Sequence, residues 1–397
     1  MKVTKVFILN VFVLLIVLGS CKQAKKENME SKAIIENEKE EFNRNSVLKA
    51  KSFDSIIDDK KVELIWISNA NTHAAFTNYG GRLVGLWVPN KDGEMTDVVV
   101  GMSTIKEFVS SSEPYFGATI GRVGNRIAKG KFSINGKDYS VPVNNGENSL
   151  HGGNKGYQDV VWDFDKTSEN SLTFKYLSKD MEEGFPGNLS IEVTYTITED
   201  NAVKMGYKAT TDKPTVVNLT NHAFFNLNGE NGGTILNHKF KIYADAFTPV
   251  DEGLIPTGEI RKVKGTPFDF TTEHTLIERI NDDNQQLKYG LGYDHNFVLN
   301  GTQKNDMNHV ATVIGDTSGI VMDITTQEPG VQLYSGNFMQ GKNTFKSGVK
   351  DKFRTAFCLE TQHYPDAPNQ DNFPPILLNP KETYETVSFY TFSTEAH

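Results

Sequence analysis

The segment "NLSIEVTYTIT", residues 188–198, alternates without a break. Leu189, Ile191, Val193, Tyr195 and Ile197 fall on one side, and Ser190, Glu192, Thr194 and Thr196 on the other. A period of two places side chains on one face only in an extended strand; a helix would scatter them around its circumference. After Glu199-Asp200-Asn201 the pattern resumes in "AVKMGYKATT", so the pair reads as an antiparallel hairpin. Runs of the same kind recur at "DYSVPV", "SLTFKYL", "HKFKIYA", "GIVMDITTQ", "VQLYSGN" and "YETVSFYTFS", set apart by "NGK", "NGENG" and "GDTSG". Only "STIKEFVSSS" and "TTEHTLIERIND" read as helices, the second capped by Thr272. Many short strands with regular turns predict a sandwich or barrel, not βαβ units, and no fixed-period repeat supports a propeller. The expectation is one large all-β domain over residues 52–397.

The N-terminus follows different rules. Lys2 and Lys5 precede an apolar run from Val6 to Leu18, interrupted only by Asn10. That run is short for a membrane span but suits the centre of a signal peptide. It leads into Leu18-Gly19-Ser20-Cys21, which resembles the lipobox of bacterial lipoproteins; the plainer alternative is an ordinary secretory signal. Residues 1–20 are therefore expected to be a signal peptide. Residues 21–51, rich in Lys, Glu and Asn, are expected to form a flexible tether from a lipidated Cys21, placing the protein in the cell envelope. The only other cysteine, Cys358, lies in an apolar strand pattern and reads as a small buried side chain; with Cys21 lipidated, no intrachain disulfide is possible. A net charge of −9 with scattered basic residues argues against a nucleic-acid surface, and an uncharged polar ligand suits the chain better.

Two side chains raise the question of chemistry. In "VVNLTNHAFFNL", strand parity puts Asn218, Thr220 and His222 opposite Val217 and Leu219, so His222 extends a polar face into an aromatic cluster. Taken alone, that histidine reads as structural ahead of functional. In "RTAFCLETQHYPDAPNQ", Glu360 sits mid-strand among apolar residues, where an unpaired carboxylate is expensive. Glu360 and His363 have a Glu-x-x-His spacing, but on a strand they point oppositely, so no metal is expected there. No other histidine pair has ligand spacing. Three further polar segments offer groups for hydroxyl recognition: Asn125 and Arg126, His151, and Asp294.

Six segments in order, "YFGATIGRVGNRI", "NSLHGG", "VNLTNHAFFNL", "YDHNF", "PGVQLYSGNF" and "FCLETQHYPDAPNQ", resemble the aldose 1-epimerase (galactose mutarotase) family across residues 52–397. The departures from the family pattern are Val123-Gly124 before Asn125 and the expected lipidated, tethered N-terminus. The resemblance implies a large antiparallel β-supersandwich with an open sugar cleft, acting on free aldohexoses. It implies His222 as the catalytic acid and Glu360 as the base. It also implies Arg126, His151 and Asp294 as sugar-binding residues, with Asn125 and Gln332 beside them, and no metal or other cofactor. At ordinary pKa values Glu360 is ionised near pH 7, and His222 can be protonated beside a carboxylate. A monomer is expected. The competing readings are a lipid-anchored carbohydrate-binding protein on the same scaffold, a hexose-6-phosphate 1-epimerase and, more remotely, a glycoside hydrolase. The phosphate reading lacks a basic cluster beyond Arg126, and the hydrolase reading lacks a second placed carboxylate.

Overall fold

The computed structural model describes residues 42–301 and 307–395. The segments expected to form a signal peptide and most of a tether, with Cys21, lie outside the described residues. A short helix covers Arg44–Val47, and the compact body runs from Leu48, slightly before the expected boundary at Ser52.

A nine-stranded antiparallel sheet forms the back of the body. Its order is Asp163–Ser168, Ser171–Ser178, Leu189–Ile197, Ala202–Thr211, Tyr384–Thr394, Ile320–Thr326, Asn308–Ile314, Lys239–Ile242 and His274–Thr275. The hairpin read from alternation is present, with Leu189 opposite Thr211 and Ile197 opposite Val203. Its apolar set, Leu189, Ile191, Val193, Tyr195 and Ile197, is buried throughout. A four-stranded sheet (Leu64–Ser68, His73–Thr77, Arg82–Pro89, Met95–Asp97) and a five-stranded one complete the frame. The five-stranded order is Arg261–Lys262, Ala246–Phe247, Asp294–Val298, Gly330–Tyr334, Cys358–Gln362.

All three sheets send side chains into one hydrophobic core. Phe76 of the four-stranded sheet packs 4.7 Å from Tyr195 of the large sheet, ring centre to ring centre. The strand Cys358–Gln362 is fastened to the large sheet from behind. Tyr390 Oη donates to the Leu359 carbonyl at 2.5 Å, and the Thr361 and Ser388 hydroxyls lie 2.7 Å apart. This is an all-β sandwich, one of the two architectures that the alternation allows and the one that the resemblance implies.

One helix reading needs correction. The segment 103–112 does contain a helix, Ile105–Val109, with the Thr104 side chain accepting from the Glu107 amide. The segment 271–282 does not: His274–Thr275 pairs with Lys239–Phe240 on the sheet edge, followed by a single 3-10 turn, Leu276–Glu278. Thr275 caps that turn rather than Thr272, because edge pairing has taken the residues a longer helix would need. An α-helix forms instead at Gln285–Gly290, capped by Asn284.

Candidate active site

The five-stranded sheet supplies one wall of a cleft of about 960 Å³. Cross-strand register aligns Asp294 with Tyr334 and Cys358, and Asn296 with Gln332 and Glu360. Register partners in antiparallel strands project from the same face, as do residues two apart, so all six share one polar face. The intervening Phe297, Val331, Leu333 and Leu359 enter the core on the other face. A hydrophobic underside thus fixes where the polar groups point.

His222 reaches the same cleft from a neighbouring segment whose polar face is tied to the Glu360 strand. The Thr220 hydroxyl donates to the Thr361 carbonyl at 2.9 Å, and the His363 amide donates to Asn218 Oδ1 at 3.0 Å. Val217 and Leu219 are in the core, as parity requires. His222 Nε2 stands 3.6 Å from Glu360 Oε1, close but beyond hydrogen-bond reach. Its other ring nitrogen is 3.5 Å from the Cys358 thiol, and Phe224 stacks on the ring at 4.9 Å.

The third wall carries Asn125, Arg126 and His151. Asn125 and His151 both hold left-handed backbone conformations, φ 59° and 50°, uncommon outside glycine. The Asn125 amide donates to His151 Nδ1 at 3.1 Å, and the Arg126 amide donates to Asn125 Oδ1 at 2.9 Å. Gly152 makes this turn possible: a Cβ there would lie 2.0 Å from the Gly121 carbonyl oxygen. Arg126 approaches Asp294 at 3.8 Å and donates to Asn145 at 3.2 Å. Gln332 stands behind Asp294, donating to its Oδ1 at 2.7 Å, and is absent from the cavity lining. That bond orients the Asp294 carboxylate.

Burial dominates the electrostatics. It pushes Glu360 well above the usual carboxylate range, Asp294 adding to the shift while Arg126 opposes it. Burial likewise pulls His222 down to about 3 and drives His151 well below the usual imidazole range. Asp294 is raised by burial against the pull of Arg126 and Gln332. Burial in the cleft therefore disfavours the charged form of each group, against the ionised pair expected from ordinary values. Both descriptions leave one proton on the pair, so the pair is best treated as a coupled unit.

His151, His222 and Glu360 place donor atoms within 4.8 Å of one another, a spacing that invites a metal. The donor chemistry does not fit. An N–H donating to His151 Nδ1 requires that nitrogen to be unprotonated, so neutral His151 carries its proton on Nε2 and has no lone pair to offer. That Nε2–H is a fixed donor instead, suited to a hydroxyl. Glu360 and His363 do not share a site, since His363 bonds Glu328 at 2.6 Å.

The structure brings His222, Glu360, Asn125, Arg126, His151 and Asp294 to one lining. Sequence reasoning had not singled out Tyr115, Glu113, Tyr334 or Phe338, which share it. Tyr115 packs 4.5 Å from the His151 ring and 5.6 Å from the His222 ring. Tyr334 was recoverable from parity, lying two residues beyond Gln332 on the same strand face.

The aldose 1-epimerase family model matches residues 63–391. Galactose mutarotase from Bos taurus is 42% identical over 332 residues, 84% of this chain and 94% of its own. The aldose 1-epimerase of Escherichia coli K12 is 34% identical over 83% of this chain and 94% of its own. Among solved structures, an aldose epimerase homologue from C. elegans superposes with a TM-score of 0.77 at 33% identity, covering 84% of this chain and all of that one. Galactose 1-epimerase from Lactobacillus acidophilus gives 0.75 at 25% identity, over 86% and 97%. By sequence and by fold, this chain belongs to the aldose 1-epimerase family of isomerases.

Proposed function

We propose that the protein interconverts the α and β anomers of free aldohexoses of the glucose and galactose type, with His222 and Glu360 moving the protons. Ring opening requires a proton to leave the C1 hydroxyl and another to reach the ring oxygen. Neither oxygen is basic or acidic enough to do this quickly in neutral water. Opening draws on the form in which the pair's single proton sits on His222. Ionised Glu360 takes the hydroxyl proton while the imidazolium protonates the ring oxygen, which leaves the proton on Glu360. C1 turns, and reclosure reverses both transfers. One proton held by two groups suffices, because each half-reaction returns the pair to its starting count. Arg126, His151 and Asp294 hold the sugar: Arg126 and the His151 Nε2–H donate to hydroxyl oxygens, and Asp294 accepts from hydroxyls.

The observation that carries this reading is the 3.6 Å approach of an imidazole and a carboxylate in a polar cleft, with neither bonded to the other. Glu360→Gln and His222→Asn are each expected to reduce kcat at least about a hundredfold with the fold intact. Polarimetry on fresh α-galactose or α-glucose measures it, and near-normal turnover in either variant would overturn the assignment.

We propose further that Cys21 is lipidated and holds the enzyme at the cell envelope, on the strength of the Leu-Gly-Ser-Cys sequence after the apolar run. Cys21→Ala is expected to move the protein from the membrane to the soluble fraction and to abolish incorporation of labelled palmitate. A Cys21→Ala variant that stayed with the membrane would refute the anchor.

A further inference from the structure

Glu113 lines the cleft, yet ring opening makes no use of it. Its segment is held by hydrogen bonds from within the protein. The buried Arg82 donates to the carbonyls of Pro114 at 3.1 Å, Phe116 at 2.5 Å and Gln158 at 2.9 Å. Asn343, itself bonded to Asp351 at 2.7 Å, accepts from the Ser111 hydroxyl and the Ser112 amide at 3.2 and 3.3 Å. The Glu113 carboxylate, by contrast, accepts one long bond among the described residues, from the Tyr115 amide at 3.4 Å. A well-fixed backbone thus presents a carboxylate whose acceptor capacity is mostly unspent.

Charge in the cleft is lopsided. Six carboxyl groups line it, of which burial disfavours the charged forms of Glu360 and Asp294, against two basic side chains, Arg126 and Lys129. Arg126 already faces Asp294 and Asn145. An incoming anion therefore finds little compensating charge.

We propose that Glu113 is a specificity-determining residue that accepts a hydrogen bond from a sugar hydroxyl and turns away aldoses bearing an acidic group. The inference rests on the mutarotase reading of the same cleft. Burial raises Glu113 to about 7, so slightly alkaline buffer keeps it charged.

The test compares galactose with galacturonate, which differs from it at C6, by polarimetry at pH 8. Wild type is expected to favour galactose. Glu113→Gln should lower kcat/KM for galactose severalfold and raise it for galacturonate, shrinking the ratio at least about tenfold. Glu113→Asp, which keeps the charge, should retain most of the preference. Glu113→Ala makes the same measurement if the Gln variant melts early. A ratio unchanged within about twofold in both neutral variants would overturn the proposal while leaving mutarotation intact. A wild type inactive on galactose would instead sink the mutarotase reading, and this inference with it.

Discussion

The body contains two buried charged clusters built on opposite principles. At Lys346 every group is answered. The ammonium lies 2.8 Å from Glu230 and 3.3 Å from Asp97, and donates to the Val84 and Val99 carbonyls, each at 2.9 Å. Glu230 accepts from the Gly101 and Ser347 amides, and Asp97 from the Leu86 amide. At His222 and Glu360, equally buried, Glu360 Oε2 has no hydrogen-bond partner and Oε1 stops 3.6 Å short of the imidazole. The first cluster is satisfied within the protein and holds the fold. The second keeps its bonding capacity for a ligand, and its destabilisation is the condition of its chemistry.

If that contrast is right, the sharpest way to break it is to remove Lys346. Burial alone would lower its pKa, but Asp97 and Glu230 outweigh it and hold the ammonium charged. Lys346→Met would strand both carboxylates without their cation. The expected loss is about 3–5 kcal/mol of stability, with mutarotase turnover per folded molecule little changed, since Lys346 does not line the cleft. Urea denaturation with polarimetry of the folded fraction checks both halves. A small stability loss with a large loss of turnover would reverse the assignment of roles.

The same contrast explains what could be read from the chain. Strands with one buried face announce themselves, because burial acts on alternate residues: Leu189–Ile197 and Tyr384–Thr394 are of this kind. Glu360 was legible as a carboxylate set against that grain and His222 as the end of a polar face, though their pairing and roles came from the family resemblance and not from periodicity. The Lys346 cluster was invisible. Asp97, Glu230 and Lys346 are distant in sequence, each looks like a surface charge, and only the folded chain brings them together. The segment 271–282 misled for a related reason: its local helical preference was real, but a sheet edge at Lys239–Phe240 offered His274–Thr275 a better partner. Tyr115 and Glu113 were missed because they sit on an irregular turn with no period to read.

A smaller effect sharpens the comparison from the other side. Glu360 has a folded pKa raised by burial, whereas in the unfolded chain it ionises near about 4.3. Above that pH the unfolded state releases a proton that the native state retains, so native stability is lost progressively as pH rises toward the folded value. Glu360→Gln removes the ionisation and with it the penalty. The variant should match wild type near pH 4 and become progressively more stable than wild type as pH rises toward the folded pKa. Thermal melts of the two proteins across that range measure the gap. Equal stability at every pH would mean that Glu360 is as well served in the native state as Glu230. The distinction between a satisfied and an unsatisfied buried charge would then not separate structure from catalysis in this fold.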